Sequence, residues 1–356
     1  MTTMATDSMT TDAFADRLFQ AALGAAETMS VYLGDRLGWY RALAEGGPAT
    51  AAELTQRAGG ADRYAEEWLE QQAVIGILTV TEDGRFALPP AAAEVLTDTA
   101  SLSYLAPLAR MFCAAGMQLP ALTEAYRSGG GVGWTQFGTD MRESQADMNR
   151  PWFERQLPDA LAGVPDVHHV LNRHDARFAD VGCGAGWSSL ALARAYPQAT
   201  VDGYDTDLPS IQAARANAES AGLSDRVHFH HADAAGMADR RYDATFAFEC
   251  LHDMTAPVHV LAAMRRSMVP DGLAIVMEEA VADTFQPLGD DVERLMYGFS
   301  ILICLPDSMA HQPTAGTGTV MRADTLRRFA REAGFSGATT LPIEDFGFWR
   351  FYKLET

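Results

Sequence analysis

Three glycines in the segment DVGCGAGW give the clearest chemical signal in this sequence. Gly182, Gly184 and Gly186 stand between an apolar run that predicts a strand and a run, WSSLALARAY, that predicts a helix. Glycine lets the backbone approach a ligand, and the N-terminus of the following helix offers unpaired N–H groups. Trp187 stands where the dinucleotide fingerprint GxGxxG needs its last small residue, so the spacing argues against NAD.

Acidic residues follow the next two predicted strands. Asp205 ends the segment ATVDGYD, nineteen residues beyond Gly186. An ionised carboxylate at that place can accept hydrogen bonds from two ribose hydroxyls. Asp233 and Ala234 follow RVHFHHAD, where the acid can accept from an exocyclic amine and the alanine can pack against a flat ring. The pattern predicts recognition of a nucleoside without phosphates.

A second polar segment, FECLHDM, follows the fourth predicted strand. Ligands of open α/β sheets bind at the carboxyl ends of the strands, so we expect this segment to border the same crevice. A neutral His252 could take a proton from a phenol, an enol or another hydroxyl. Alternatively, it caps the next helix or lines the cofactor without moving a proton. Glu249 and Asp253 are candidates to orient the imidazole or a cofactor amine.

Two further groups of polar residues could suggest a metal. In a strand, His228 and His230 share one face while His231 points away, so these histidines do not converge and no metal site is predicted. Glu278 and Glu279 follow the fifth predicted strand and could face a substrate or hold a divalent ion. The interpretation that we favour for this pair is two strand-end carboxylates in solvent.

The elements around these residues predict an α/β fold. From Arg177 onward, apolar strands alternate with amphipathic helices, which predicts a doubly wound, mostly parallel, seven-stranded Rossmann-like sheet. Ahead of it, three helices and a hairpin follow the order of a winged helix. The predicted divisions are a flexible leader (1–12), a winged-helix domain (13–96), a helical linker and substrate lid (97–170) and the domain that carries the glycine turn (171–356).

Composition narrows the classes of partner. Acidic residues number 47 against 27 basic ones, giving a formal charge of -20, which argues against nucleic acid and anionic membranes as partners. Lys353 is the only lysine, so Schiff-base and Walker-type chemistry are disfavoured. The four cysteines are dispersed without a CxxC pair, and the N-terminus lacks the features of a signal peptide. These features predict a cytoplasmic protein.

Together, DVGCGAG, the acid of GYD, the AD pair and the turn at Pro270–Gly272 resemble the class I S-adenosylmethionine-dependent methyltransferases. The N-terminal half is similar to the winged-helix domain that precedes the catalytic domain in small-molecule O-methyltransferases and in a related bacterial subgroup. The resemblance implies S-adenosylmethionine as cofactor, a homodimer formed through the N-terminal domain, and Asp180 near the methionine amine. His252 matches the catalytic histidine of the LHDW segment in those enzymes, with Met254 in place of tryptophan.

The expected site residues fall into two sets. For the cofactor they are Asp180, Gly182, Cys183, Gly184, Gly186, Asp205, Thr206, Asp233, Ala234 and Glu249. A flat or apolar acceptor would meet aromatic and methionine side chains near the glycine-rich segment 128–134 and in the insertion after the fifth strand. These are Trp134, Phe137, Met148, Trp152, Phe153, Met296 and Phe299.

The predicted function is methyl transfer from S-adenosylmethionine to a small, largely apolar acceptor, a phenolic or polycyclic secondary metabolite, releasing S-adenosylhomocysteine. O-methylation with His252 as general base is favoured, while N- or C-methylation and assistance by a divalent metal stay open. One alternative is a cyclisation or rearrangement that uses the bound cofactor without methyl transfer. Another is a winged-helix regulator that senses S-adenosylmethionine, disfavoured because residues 1–100 carry six arginines against fifteen acids.

Overall fold

The computed structural model describes residues 10–239 and 242–356. The chain divides into two compact units, of which the first ends at Cys113 and the second runs from Ala114 to Thr356. Most of the predicted leader, residues 1–9, lies outside the described residues. The side chain of Thr10 caps the first helix, which begins at Thr11. The domain boundaries near residues 96 and 170 stay predictions.

Sixteen α-helices are numbered in chain order among the described residues. They are α1 (Thr11–Arg36), α2 (Trp39–Gly46), α3 (Ala51–Ala58), α4 (Asp62–Val74), α5 (Pro90–Thr97), α6 (Ala106–Met117), α7 (Leu119–Ser128), α8 (Trp134–Arg155), α9 (Leu157–Ala162), α10 (Pro165–Leu171), α11 (Trp187–Ala195), α12 (Leu208–Ser220), α13 (Pro257–Ser267), α14 (Asp291–Phe299), α15 (Leu305–Ser308) and α16 (Ala323–Glu332).

The strands form a hairpin in the first unit and one large sheet in the second. They are β1 (Thr79–Val80), β2 (Phe86–Ala87), β3 (Arg177–Val181), β4 (Thr200–Asp205), β5 (Val227–His231), β6 (Tyr242–Phe248), β7 (Met268–Glu279), β8 (Gly337–Thr340) and β9 (Trp349–Glu355).

The first unit has the order that the sequence predicts for a winged helix: α2, α3 and α4 precede the β1–β2 hairpin. Gly38, with a φ of 70°, separates α1 from α2. The core is aromatic, since the ring of Trp68 packs at an angle against Trp39 and Tyr40 with centroids 5.1 and 5.0 Å away. In contrast, α1 exposes large apolar side chains, including Phe14, which is 55% exposed.

The second unit contains the predicted seven-stranded sheet, in the order β5-β4-β3-β6-β7-β9-β8. The first five of these strands are parallel and β9 is antiparallel to both neighbours. Successive side chains of β3 pack into different clusters: Phe178 joins one with α11 and α12, and Ala179 joins one with α13 and α16. Strand order switches at β3: β4 and β5 lie on one side of it, and β6 and β7 lie on the other. Doubly wound folds bind ligands at such a switch point.

One sequence expectation about local structure differs from the observed chain. The turn predicted at Pro270–Gly272 lies within β7, where pairing with β6 shifts register between Tyr242 and Ala244. The glycine-rich segment 128–134 is held against α15: the N–H of Val132 donates to the carbonyl of Pro306 at 2.9 Å. Among the described residues, no helix is both long and apolar enough to cross a bilayer.

Candidate functional site

The glycine turn lies at the carboxyl end of β3 and leads directly into α11. Its three glycines have positive φ, 67° at Gly182, 50° at Gly184 and 81° at Gly186, which disfavours any side chain. A Cβ on Gly186 would lie 2.4 Å from Cζ of Phe229, and one on Gly182 would lie 2.7 Å from Sγ of Cys250. At Gly184, apart from the glycine itself and its two chain neighbours, no described atom lies within 4 Å of the Cβ position, so open space remains there.

Asp205 lies beside this turn at the end of β4. Its Oδ2 accepts from the N–H of Gly184 at 2.9 Å, and its Oδ1 accepts from the N–H of Asp207 at 2.8 Å. Burial raises the pKa of this carboxyl, although the N–H groups of Asp207 and Gly184 oppose the rise. Thr206, which follows it, is exposed. The remaining lone pairs of Asp205 suit the hydroxyls of a ribose.

Arg142 on α8 fixes the loop that carries Asp205. Its Nε donates to Oδ2 of Asp207 at 2.7 Å and its Nη2 donates to Oδ1 at 3.0 Å, the two-pronged geometry that orients a carboxylate well. Asp207 in turn accepts from the N–H of Ser210 and so caps α12. The sequence analysis missed Arg142, because nothing in its local spacing links it to a residue 65 positions away.

Asp233 and Ala234 follow β5 at the same edge of the sheet. The N–H of Ala232 donates to the carbonyl of Asp205 at 3.0 Å, which ties the ends of β4 and β5 together. Asp233 is exposed and its Oδ1 accepts from the N–H of Ala235 at 2.8 Å, whereas Ala234 is buried. The predicted adenine and ribose residues are therefore neighbours.

Asp180 and Cys183 are buried at the turn. Oδ2 of Asp180 accepts from the hydroxyls of Ser188 and Ser189, both at 2.6 Å, while its Oδ1 has no hydrogen-bond partner in the described part of the chain. Burial raises the pKa of Asp180 to about 6. A buried oxygen without a partner suits a ligand that donates. Burial also raises the pKa of the Cys183 thiol, so a space-filling role fits it.

His252 is buried in a 3-10 turn after β6, surrounded by carboxylates. Its Nδ1 lies 2.5 Å from Oε2 of Glu278 and 3.3 Å from Oε2 of Glu279, and its Nε2 lies 3.3 Å from Oδ1 of Asp253. The thiol of Cys304, at the end of a π-helical turn, also bonds to the imidazole. Nδ1 is thus hydrogen-bonded to Glu278, whereas Nε2 lies near Asp253 without a hydrogen bond to its Oδ1.

The cluster formed by His252, Asp253, Glu278 and Glu279 brings one basic side chain together with three carboxyl groups. Burial alone would lower the pKa of His252, but the carboxylates of Asp253, Glu279 and Glu278 outweigh it and raise the pKa well above its usual value. Burial raises the pKa of Glu279 as well, and the charge of Glu278 adds to the rise although His252 opposes it. Their mutual charges therefore raise the pKa of His252 and, together with burial, the pKa of Glu279.

Glu249 lies at the crevice end of β6 in an unusual backbone conformation, with a φ of 52°. Nδ2 of Asn149, on α8, donates to its Oε2 at 2.5 Å. Oδ1 of Asn149 is buried without a hydrogen bond to any described residue. The indole of Trp349 lies beside the carboxylate of Glu249, and its interaction with the carboxylate lowers the pKa of Glu249. Burial raises the pKa of Glu249 to about 7, against the charge of His252.

The structure corrects the interpretation that Glu278 and Glu279 stand in solvent. They are 1% and 3% exposed, because β7 lies between β6 and β9 and both carboxylates turn toward His252. The ligand-type atoms of His252 with this pair, and of His252 with Asp253 and Cys304, lie within 4.8 Å of one another, a spacing that a metal ion could bridge. Since these groups contact each other directly, we assign no metal ligand.

The predicted acceptor residues separate into two groups. Trp152 and Phe153 pack into the core on the sheet, where Trp152 contacts Trp349 at a centroid distance of 5.7 Å and Phe153 contacts Phe248 at 5.8 Å. Trp134 lies near the His252 cluster, because its N–H donates at 2.6 Å to Asp307, which interacts with Asp253 and His252. The others are buried on α8 and α14: Phe137, Met148, Met296 and Phe299. Their contact with an acceptor stays a prediction.

Comparison with protein families gives two matches along the chain. Residues 178–272 match the methyltransferase domain family, and residues 25–98 match the Rv2258c-like winged helix-turn-helix domain. These matches confirm the recognition of a class I methyltransferase domain behind a winged-helix domain, and the predicted fold class is confirmed with it.

The curated proteins and the solved structures that are similar to this chain are also methyltransferases by name. The 27-O-demethylrifamycin SV methyltransferase of Amycolatopsis mediterranei is 29% identical over 166 residues, 45% of this chain and 59% of that protein. The chain spans 52 to 59% of the first curated relatives that it matches. The mitomycin 7-O-methyltransferase structure has a TM-score of 0.73 at 20% identity, covering 97% and 98% of the two chains. Human N-acetylserotonin methyltransferase, solved with S-adenosylmethionine, has a TM-score of 0.71 at 17% identity, covering 96% and 97%.

Proposed function

We propose that this chain, a class I methyltransferase domain preceded by a winged helix-turn-helix domain, transfers the methyl group of S-adenosylmethionine to an oxygen atom of a small, largely apolar acceptor. The observation that carries the proposal is the open space at Gly184, bordered by the carboxylate of Asp205 and lying within the segment that matches the methyltransferase family.

The residues present fit this cofactor. The turn at Gly182–Gly186 leaves space for a ligand, Asp205 can accept from the ribose hydroxyls, and Asp233 can accept from the adenine amine. The unpartnered Oδ1 of Asp180 suits the methionine ammonium. When bound, the sulfonium supplies an activated methyl group, and the enzyme's contribution is to align it with the acceptor oxygen in a closed site.

The nature of the acceptor is supported by the relatives and by the side chains around the crevice. The relatives named above act on rifamycin, mitomycin and N-acetylserotonin compounds by name. Met148, Met296 and Phe299 are apolar side chains buried on α8 and α14, and we propose that they form the wall of the acceptor pocket. We therefore propose a phenolic or polycyclic secondary metabolite. The general-base role predicted for His252 stays a prediction; its Nδ1 is held by Glu278, and its Nε2 is the ring nitrogen that could take a proton.

Calorimetry with S-adenosylhomocysteine tests the cofactor site. Asp205→Ala should weaken binding by about 1.5 to 3 kcal/mol, the effect of removing a charged hydrogen-bond acceptor. The control Asp225→Ala, which changes an exposed acid ahead of β5, should bind like the wild type. Absence of binding by the wild type would refute the proposal. Methyl-labelled cofactor then separates methyl transfer from a cyclisation or rearrangement, since only methyl transfer leaves label in the product.

We further propose that the protein is a homodimer formed through its N-terminal domain, which serves assembly and does not bind DNA. Along α1, Phe14, Leu18 and Leu33 expose apolar surface at helical spacing. Leu18→Asp should shift the sedimentation coefficient of a dimer to that of a monomer; a wild type that sediments as a monomer would contradict the proposal.

A low-salt gel shift with duplex DNA tests the proposal that the N-terminal domain does not bind DNA. The cytoplasmic location stays a prediction.

A further inference from the structure

We propose that the acceptor carries a protonated amine beside its reacting hydroxyl, and that the carboxylates of Asp253 and Asp307 bind this ammonium group. The inference rests on the proposed function: it names the charge class of the acceptor and two residues that select for it. The role predicted for His252 as general base is left unchanged.

Asp253 and Asp307 approach the crevice from different elements. Asp253 follows His252 on the 3-10 turn after β6, and its Oδ1 lies 3.3 Å from Nε2 of that imidazole. Asp307 lies on α15, which begins directly after Cys304, whose thiol bonds to the imidazole. The charges of Asp253, His252 and Asp207 all act on the carboxyl of Asp307. Asp307 is therefore close both to the loop after β4, on the cofactor side, and to the turn that carries His252.

The two carboxylates lack a cationic partner of the usual kind. In the described part of the chain, no arginine or lysine forms an ion pair with Asp253 or Asp307. Oδ1 of Asp253 is buried without a hydrogen bond to any described residue, and Asp307 accepts from the backbone N–H of Trp134 at 2.6 Å. The nearby Asp207, by contrast, is held by two nitrogens of Arg142. Since carboxylates that are withdrawn from water are normally paired, a ligand with donors and positive charge suits this place.

The imidazole of His252 is a second observation that points to a bound molecule. The side chain is 2% exposed, and its Nδ1 bonds to Glu278, whereas its Nε2 makes no hydrogen bond to Oδ1 of Asp253. A buried polar atom without a hydrogen bond is costly unless a ligand or water supplies one. The distance of 3.3 Å between Nε2 and Oδ1 suits an acceptor with donors at adjacent positions, a hydroxyl toward Nε2 and an ammonium toward the carboxylates.

Charge favours an ammonium over a neutral donor at this place. Burial raises the pKa of Asp307 to about 7, and the charge of Asp253 adds to the rise because the two carboxylates repel each other. An ammonium between them replaces that repulsion with attraction, whereas a neutral hydroxyl would supply a hydrogen bond alone. An anionic group would be repelled by both. The arrangement therefore selects cationic acceptors over neutral ones, and neutral acceptors over anionic ones.

A bound ammonium also changes the acidity of His252. The groups that face this imidazole are Asp253 on its own turn, Glu249 after β6, Glu278 and Glu279 on β7, Cys304 on the π-helical turn and Asp307 on α15. Burial lowers the pKa of His252, and Asp253 comes first among the groups that raise it. Positive charge beside Asp253 offsets its effect and lowers the pKa, which favours a neutral Nε2 that can take the proton of the hydroxyl. Turnover of a cationic acceptor should begin to rise at a lower pH than turnover of a neutral one.

The experiment uses three naphthols that carry an aminomethyl, a methyl or a carboxylate group on the carbon next to the hydroxyl. With methyl-labelled S-adenosylmethionine, kcat/KM of the wild type should be highest for the aminomethyl naphthol, by about 10-fold or more over the methyl naphthol, and lowest for the carboxylate. Asp307→Asn should remove the preference for the amine and leave the methyl naphthol little changed, since asparagine keeps an oxygen for the N–H of Trp134. Asp225→Asn, the same change at an exposed position ahead of β5, should keep the preference.

Calorimetry on the S-adenosylhomocysteine complex gives a readout apart from turnover. The aminomethyl naphthol should bind the wild type more tightly than the methyl naphthol does, and Asp307→Asn and Asp253→Asn should each reduce this difference. Binding of S-adenosylhomocysteine by each variant verifies that the cofactor site is folded. A wild type that labels the methyl naphthol at least as well as the amine, or a preference that survives both substitutions, overturns the inference while the proposed function stands. A wild type that labels none of the three overturns the proposed function, and the inference with it.

Discussion

Replacing Glu249 with glutamine should make the folded protein more stable above neutral pH. Burial raises the pKa of this carboxyl from 4.5 to about 7. Between these two values the unfolded chain has lost a proton that the folded chain keeps, so the stability of the wild type falls as the pH rises through this window. Above about pH 7 both states are ionised and the loss is complete.

The size of the effect follows from the same numbers. At about 1.4 kcal/mol per pKa unit, the rise from 4.5 to about 7 corresponds to about 3 kcal/mol. Protons shared with Glu279 and His252 spread the change over the cluster, which reduces the expected gain to about 2 kcal/mol. Glutamine keeps the shape and an oxygen that can accept from Asn149 but never carries the charge, so the variant avoids this cost at every pH.

Urea unfolding at pH 5 and pH 8 provides the assay, with Glu344→Gln as the matched control. The free energy of unfolding of Glu249→Gln should exceed that of the wild type by about 2 kcal/mol at pH 8 and by much less at pH 5. An equal gain at both pH values would mean that packing causes it. A loss at pH 8 would refute the reasoning that the ionised carboxyl is a cost in the folded state.

Three further substitutions test the cofactor side. Gly186→Ala should reduce the free energy of unfolding by about 2 kcal/mol or more, measured in urea, because its Cβ would meet the ring of Phe229 at a positive φ. Gly184→Ala should cost about 1 kcal/mol of stability yet strongly weaken S-adenosylhomocysteine binding in calorimetry, since its methyl group would enter the open space. Arg142→Met should weaken the same binding by about 1 to 3 kcal/mol, because Asp207 loses its charged partner. Unchanged binding would show that the loop after β4 keeps its conformation without Arg142.

The cofactor side of the site was predictable because its signals are local. Asp205 ends a strand, and Gly184 and Asp233 lie within three residues after one. Parallel strands bring their carboxyl ends to one edge, which requires no knowledge of side-chain packing. The same argument predicted that the segment around His252 would border that edge. The alternation of apolar strands with amphipathic helices, together with the glycines at the turns, was sufficient to predict the fold.

The catalytic side depends on distances that no spacing rule supplies. Glu278 meets His252 across 26 positions because β6 and β7 pair in one particular register, with Phe248 opposite Met277. A shift of one residue would turn that carboxylate to the opposite face. Asn149 reaches Glu249 across 100 positions from a helix outside the sheet. Aromatic composition likewise predicted an acceptor surface but could not tell crevice residues from core residues.

The carboxylate cluster has a consequence for the charge of the molecules that the crevice can admit. Asp205, Glu249, Glu278 and Glu279 gather at the carboxyl edge of the sheet, with His252 as the basic side chain among the last three. A lining that is rich in carboxyls attracts a cationic group such as a sulfonium and repels an anion. An acceptor with its own carboxylate would meet that repulsion, and the crevice should therefore exclude anionic molecules in favour of neutral or cationic ones.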